Sequence, residues 1–543
     1  MKHDDLSRAA RLAALLLCAA LCLGLAGCGD DDAYAPEYVD GRRFTVAVAQ
    51  TPDSLNPVVS EGGLAEEFFL LAYDPLWRID GNGQPTPCLA EDWSLSSDRL
   101  TWTIRLRQDA FFSDGVPVTA ADVLFSYEMM RRGGTAYADY FDGVSAIRQA
   151  DDYTVVISTD YVKGDMLYNP TPILPRHIWK DYEFTPASFE NTELIGSGPF
   201  VYDAEASGEE GWLFHARADH FDGAPKVGEV FFSLYGTVTG AARAVSAAEA
   251  DASFGLTDVQ LTTLESVPGV ELIQAILPGA ECMVLALNTR TDFFSSEDMR
   301  RAMELSADRD WFLSMAVGGA GMTGSSFMSP GVSSFAVPDG LRSYAPETAL
   351  GLLRSAGYAD VDGDGILEYG PRDTKLTLRL YSSSMDAWAS TAATILAADL
   401  GEIGVMVDWR KTDDPITSVC GDDDGWDMCL IGWRCGQDAA VTGGRFGEEL
   451  GGLTGWSDPV FESDLSMLRG AEETAVAQGY ARRLQQTVYD ACPVVVLGYG
   501  ADIQAVRSDV WTGYEDQLAG GGLFRVGSIA LYMNIAPRVT AEP

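Results

Sequence analysis

Histidines are among the scarcest chemistry-bearing residues here, and they are the first to weigh because imidazole serves most acid–base and metal sites. There are four: His3, His177, His215 and His220. His3 belongs to the N-terminal leader. His215-Ala-Arg-Ala-Asp-His220 has neither the spacing nor the intervening glutamate of a helical zinc site. His177, in Pro175-Arg176-His177-Ile178-Trp179, reads as a structural or surface histidine. No Gly-x-Ser-x-Gly nucleophile elbow occurs. Gly196-Ser197-Gly198-Pro199 lacks the Lys-Ser/Thr ending of a phosphate loop and reads as a tight turn into a strand. Carboxylate pairs are unavoidable among 80 acidic residues, so they do not argue for a glycosidase. The chain is therefore expected not to be an enzyme and to need no cofactor.

Two other groups could hold a metal. Asp360, Asp362 and Asp364, followed by Gly365, begin like a calcium loop, with carboxylates at positions one, three and five and glycine at six. Pro371 stands at position twelve, where an EF-hand needs a bidentate glutamate, so Glu368 is the remaining candidate ligand and a β-turn is the default reading. Beyond Cys18, Cys22 and Cys28, the cysteines are Cys88, Cys282, Cys420, Cys429, Cys435 and Cys492. None forms a Cys-x-x-Cys pair with histidine support, so a zinc cluster is the weaker reading. Export would permit disulfides, and spacing alone does not choose a pairing.

The export reading rests on the first residues. Lys2, Arg8 and Arg11 precede an apolar core from Leu12 to Leu25, too short to span a bilayer comfortably. It closes on Leu25-Ala26-Gly27-Cys28, the pattern of a bacterial lipobox, whose cysteine is lipidated and becomes the first mature residue. An ordinary cleaved signal is the alternative. Residues 29–42, opening on Asp30-Asp31-Asp32, read as a flexible tether. The formal net charge of −43 argues against nucleic-acid binding and suits a solvated, exported surface.

Regular elements follow from pattern. From Thr101 to Arg107, Trp102, Ile104 and Leu106 face one way and Thr101, Thr103, Arg105 and Arg107 the other, as in a half-buried strand. Asp114-Gly115 is a turn. Thr119, with Asp122 three residues on, predicts a capped helix through Val123, Leu124 and Phe125. Helices are also expected from Glu66 to Leu76, Arg243 to Asp251, Ala345 to Tyr358 and Tyr480 to Asp490. Thr377 to Tyr381 and Val405 to Trp409 flank a helix from Trp388 to Ile403, the order of a right-handed parallel unit. Trp93 and Trp102 read as core.

The run from Leu89 to Ser126 resembles the signature segment of the family 5 extracellular solute-binding proteins, the peptide/nickel-type receptors of ABC importers. There a tryptophan, a Ser-x-Asp turn, a strand ending Leu-Arg, and Phe-Ser-Asp-Gly-x-Pro-x-Thr-Ala-x-Asp-Val follow in this order, as Trp93, Ser96 to Asp98, Leu106-Arg107 and Phe112 to Val123 do here. Gly196 to Phe200, Asn288-Thr289, Met299 to Arg309, Trp426 to Trp433 and Gly455 to Glu462 also match, so the likeness covers nearly all of the mature chain.

That resemblance implies an α/β, two-lobed periplasmic-binding-protein-like fold (type II, class C) with an extra subdomain in the first lobe. Residues 43–287 would form lobe I with an insert at about 90–200, 288–500 lobe II, and 501–543 a return segment, with a hinge near Leu287 to Arg290. It implies ligand contacts from Asp53, Ser54, Leu55 and Asn56 in one lobe and Trp433, Arg434, Cys435 and Asp438 in the other, and a Cys282–Cys435 disulfide. In peptide-binding members an aspartate three residues after the Gly-Trp tryptophan meets the ligand's ammonium. Gly436 stands there, so either Asp438 takes the role from a shifted backbone or no free amino terminus is read. The implied protein is a monomer, lipid-anchored on the extracytoplasmic face of the cell membrane, that captures peptides for ABC permease subunits. A metal chelate, a sugar, a sensory or adhesion role, or a secreted hydrolase are the alternatives.

Overall fold

In the computed structural model the Thr101 to Arg107 alternation becomes the strand Thr101–Leu106, with Trp102, Ile104 and Leu106 all buried. The residues described are 36–539, apart from 81–84, 133, 278, 325, 332–341, 371–373, 421–424, 437 and 472. The leader, Cys28 and the tether to residue 35 lie outside them. Among the described residues no helix is long and apolar enough to cross a membrane.

Thr101–Leu106 pairs antiparallel with Ala90–Leu95 and Thr154–Thr159, and Val144–Asp151 completes a four-stranded sheet. The helix Ala120–Met130 opens on the expected capping box, in which the Thr119 amide and hydroxyl both donate to Asp122 Oδ2. The other Asp122 oxygen accepts the Arg176 amide, so one carboxylate starts the helix and docks the Arg176–Trp179 helix beside it. Trp77 meets Trp93 and Trp102 edge-on, which makes both of the latter packing residues.

Two larger sheets make the lobes. The first has seven strands, in the order Val270–Ala275, Asp502–Arg507, Ala252–Leu256, Arg43–Val48, Glu229–Leu234, Gly211–Ala216 and Phe200–Gly208. Arg43–Val48 runs parallel to both of its neighbours, so it is buried on both faces and reads as Phe-Thr-Val-Ala-Val. The second has six, in the order Gly321–Thr323, Val494–Gly500, Glu281–Leu287, Met428–Arg434, Thr377–Ser383 and Met406–Thr412. Thr377–Ser383 and Met406–Thr412 are parallel and joined through the helix Ala387–Glu402, as their spacing predicts.

Three expectations need correction. Glu281–Leu287, expected in lobe I, is a central strand of the six-stranded sheet. The chain leaves the seven-stranded sheet at Ala275, enters the six-stranded one at Glu281 and returns at Ala501, rather than crossing near Leu287 to Arg290. An apolar run such as Met283 to Leu287 announces a buried strand but not which sheet receives it. The short helix runs Val238–Ser246, because Thr237 Oγ1 accepts the Gly240 amide and starts it early. Asp251 lies beyond its end and accepts the Thr45 amide instead.

Candidate ligand cleft

The seven-stranded sheet carries on its flank the helix Leu64–Ala72, whose Phe68 is buried against Trp212, Phe214 and Phe232. Packing one face that way turns Glu66, Phe69 and Leu70 towards a cavity of about 290 Å³. Three other stretches close it. Tyr137, Asp139, Tyr140 and Tyr168 come from beside the four-stranded sheet, Arg434, Cys435 and Arg445 from the second lobe, and Arg525 and Ile529 from the returning C-terminal segment.

The lobes meet around this cavity. Arg99 Nη2 donates to the Gly470 carbonyl at 2.8 Å, Arg469 Nη2 lies 3.3 Å from Asp142 Oδ2, and Arg434 Nη1 reaches the Glu61 carbonyl at 3.4 Å. Arg445 stacks over the Trp433 ring and lies 3.7 Å from Asp139. Apart from the Arg445–Trp433 stack, which lies within the second lobe, these are polar contacts between the two halves of the cleft, the kind that can break on opening at modest cost.

Glu66 is raised above the usual carboxylate range by burial, against the pull of Arg525 and Arg434. Behind it Glu67 is pushed up to about 7 by burial, despite accepting the Tyr532 hydroxyl and the Arg525 amide. Its folded pKa lies above the unfolded value, so the folded state holds that proton longer and stability falls as pH rises from the ordinary glutamate range to about 7. Glu67→Gln keeps an acceptor and a donor there and removes the ionisation. The wild type should lose ~2 kcal/mol more than Glu67→Gln between about pH 5 and 8, measured by urea unfolding at each pH. Identical pH profiles for the two proteins would refute this account of Glu67.

Of the expected ligand residues, Arg434 and Cys435 line the cavity. Trp433 is buried in the lobe core, with its indole N–H donating to the Phe327 carbonyl. Asp438 caps the helix Ala439–Arg445 by accepting the Val441 amide, is buried, and stands outside the lining. Lys163 and Asp165, an ion pair of 2.9 Å, belong to its surroundings, and burial and Asp165 raise its carboxyl well above the ordinary range. The polar side chains of the Asp53 loop are engaged by other protein groups. Asp53 accepts the Ser60 hydroxyl and the Glu61 amide, Ser54 accepts the Asn56 amide, and Asn56 donates to the Pro186 and Phe189 carbonyls. Leu55 offers its carbonyl to Asn191. Pro57, Ser60 and Glu61, presented by that loop, do face the cavity.

Cys282 and Cys435 lie together as buried thiols, and burial and the Cys435 thiol raise the Cys282 pKa. The histidines hold separate structural contacts, His177 with Asp114 at 2.6 Å, His215 with Asp203 at 3.0 Å and His220 with Asp74 at 3.4 Å. Cys88 lies beside the Asp74–His220 pair, but burial pushes its thiol up, the opposite of what a nucleophile needs. The lining residues Glu66, Tyr137, Tyr140, Arg445 and Arg525 carry no motif of their own. Only Tyr137-Ala-Asp-Tyr140, two tyrosines at the one-turn helix Ala138–Phe141, offers a signal.

Residues 84–440 match the model of the bacterial extracellular solute-binding proteins, family 5 (Middle). The match takes in well over half of the 543 residues. The chain belongs to this family. Among relatives, the oligopeptide-binding protein AppA of Bacillus subtilis is 22% identical over 415 residues, 72% of this chain and 74% of that protein. The structure of AppA in complex with a nonapeptide has a TM-score of 0.66 at 18% identity, covering 93% of this chain and 100% of that one. The nickel-binding periplasmic protein of Escherichia coli is 24% identical over 355 residues, 62% of this chain and 65% of that protein. HbpA2 of Haemophilus parasuis has a TM-score of 0.76 at 18% identity, covering 92% of this chain and 100% of that one. The two-lobed family fold is thus the fold of this chain, and the family is one of binding proteins rather than enzymes.

Proposed function

We propose that the protein is the solute receptor of an ABC importer and captures short peptides between two closing lobes for delivery to permease subunits. It acts as a monomer, anchored through lipidated Cys28 on the extracytoplasmic face of the cell membrane. The observation that carries this reading is the cavity itself, lined at once by both lobes, the four-stranded subdomain and the return segment. A ligand touching all four at once has more contacts in the closed form than in the open one, and that difference drives closure.

The lining narrows the ligand. A cavity of about 290 Å³ sits at the small end of ligand pockets and favours a ligand of few residues. Acids Glu61, Glu66 and Asp139 share it with Arg434, Arg445 and Arg525, so opposite charges are available for the two ends of a zwitterion. Tyrosines 137, 140 and 168 supply walls that tolerate varied side chains. With Asp438 engaged as a helix cap, a ligand ammonium is met by Glu66 or Asp139. The nickel-binding relative favours a second reading, a nickel-bearing ligand. Nickel prefers imidazole, and among the described residues the lining holds no histidine and a single thiol, Cys435.

Thermal unfolding with defined di- and tripeptide pools tests the reading. A pool at a hundredfold excess over Kd should stabilise by ~2.7 kcal/mol. Stabilisation by a nickel–histidine complex alone, with peptides inert, would replace peptides with the second reading.

A further inference from the structure

The acidic turn in the second lobe stands apart from the cleft. It joins the helix Pro346–Ser355 to the strand pair Glu368–Tyr369 and Thr374–Lys375, and through them to Thr377–Ser383. One carboxylate oxygen from each of Asp360, Asp362, Asp364 and Glu368 lies within 4.8 Å of the others. The backbone wraps inward on these acids, with the Gly363 and Gly365 amides both donating to Asp360. Four carboxylates in so small a volume repel strongly unless a cation joins them.

Acidic turns are common and prove nothing alone. Glu368 is what singles this one out. It is only 3% exposed; its Oε2 accepts the Val361 amide, while its Oε1 is buried with no hydrogen-bond partner among the described residues. A buried carboxylate oxygen left unmatched costs free energy, and no hydrogen bond among the described residues compensates it. Lys375, opposite Glu368 across the strand pair, gives partial relief: its ammonium touches Asp364 and lies 3.9 Å from Asp362. One monovalent charge faces four carboxylates, and it leaves Glu368 Oε1 unserved.

We propose that this turn is a calcium site. Asp360, Asp362 and Asp364 are the ligands at positions one, three and five, and Glu368 at position nine supplies the carboxylate that position twelve gives in an EF-hand. An all-oxygen, thiol-free and imidazole-free donor set suits a hard cation, and the flexible mix of carboxylates favours calcium over the strictly octahedral magnesium. Lys375 is the occupant that calcium displaces. The bound ion would pin the turn beside Leu367, which is buried in the lobe core.

The test is calorimetric titration of CaCl2, and separately MgCl2, into the chelator-stripped mature protein. The wild type should bind one calcium per chain with Kd of ~1 mM or tighter, the range of extracellular modules, and magnesium at least ~tenfold more weakly. Asp362→Ala, at an exposed loop position, and Glu368→Gln should each weaken calcium at least ~tenfold, and Lys375→Met should tighten it by removing the competing ammonium. Absence of saturable calcium binding in both the wild type and Lys375→Met overturns the proposal. So does calcium binding that Asp362→Ala leaves unchanged. Both outcomes are independent of whether the cleft takes peptides.

Discussion

Asp74→Ala should destabilise the folded protein by about 3–5 kcal/mol, the range for stripping one partner from a buried ion pair. Asp74 is 0% exposed. Its carboxylate contacts the Arg78 guanidinium through one oxygen and His220 through the other, at 3.4 Å. Among the described residues alanine would leave the Arg78 guanidinium with Asp222 as its remaining ion-pair partner, at 2.8 Å on a largely exposed side chain, and His220 buried without its acid. Burial by itself would raise the Asp74 pKa, but Arg78 and His220 override it and hold the carboxyl well below the usual range. Its folded pKa is thus depressed, so its stabilisation is present above the unfolded value and is lost as pH falls through the ordinary carboxylate range and below. Guanidinium unfolding followed by tryptophan fluorescence should show the loss at neutral pH and a flatter acid limb for the variant. Arg78 also lines the cleft, so ligand affinity should drop as well. A destabilisation under ~1 kcal/mol would mean that this cluster is not what holds the first lobe at that point.

The second large effect concerns ligand affinity. Asp438 belongs to the second lobe, while Lys163 and Asp165 follow the four-stranded sheet. Together they bury two carboxylates and one ammonium, and Tyr140 is also close by. On the proposed closing motion Asp438 leaves water and approaches Asp165, which would make its pKa higher closed than open. Closure then takes up a proton, and affinity should fall as pH rises through the closed-state value. Asp438→Asn keeps a good helix cap and removes the charge. At about pH 8 it should bind ligand ~tenfold tighter than the wild type, with the pH slope lost. Parallel slopes in the two proteins would show that Asp438 does not change environment on closing.

Periodicity and capping chemistry were enough to read single elements. The Trp102, Ile104, Leu106 face and the Thr119–Asp122 box are local properties, and both appear as expected. The parallel unit around Ala387–Glu402 was also legible, because a strand–helix–strand order admits few topologies. What pattern does not carry is the destination of an apolar run, so it could not correct the resemblance, which puts Glu281–Leu287 in the wrong lobe. The cleft shows the same limit. Arg434 and Cys435 were found through a neighbouring motif, but Trp433 beside them turns into the core by strand alternation. Glu66, Tyr137, Arg445 and Arg525 meet only after folding, from segments far apart in sequence, and each reads in isolation as an ordinary helix or loop residue.

Retention of peptides in this cleft is directly measurable. Native mass spectrometry addresses it on the mature protein purified from cells without refolding, alongside Arg434→Glu, which places a negative charge among Glu61, Glu66 and Asp139. A ladder of adducts matching short peptides on the wild type, absent from Arg434→Glu, is the expected result. Peptides retained equally by both proteins would put the ligand elsewhere, and a single non-peptide mass would contradict the peptide assignment.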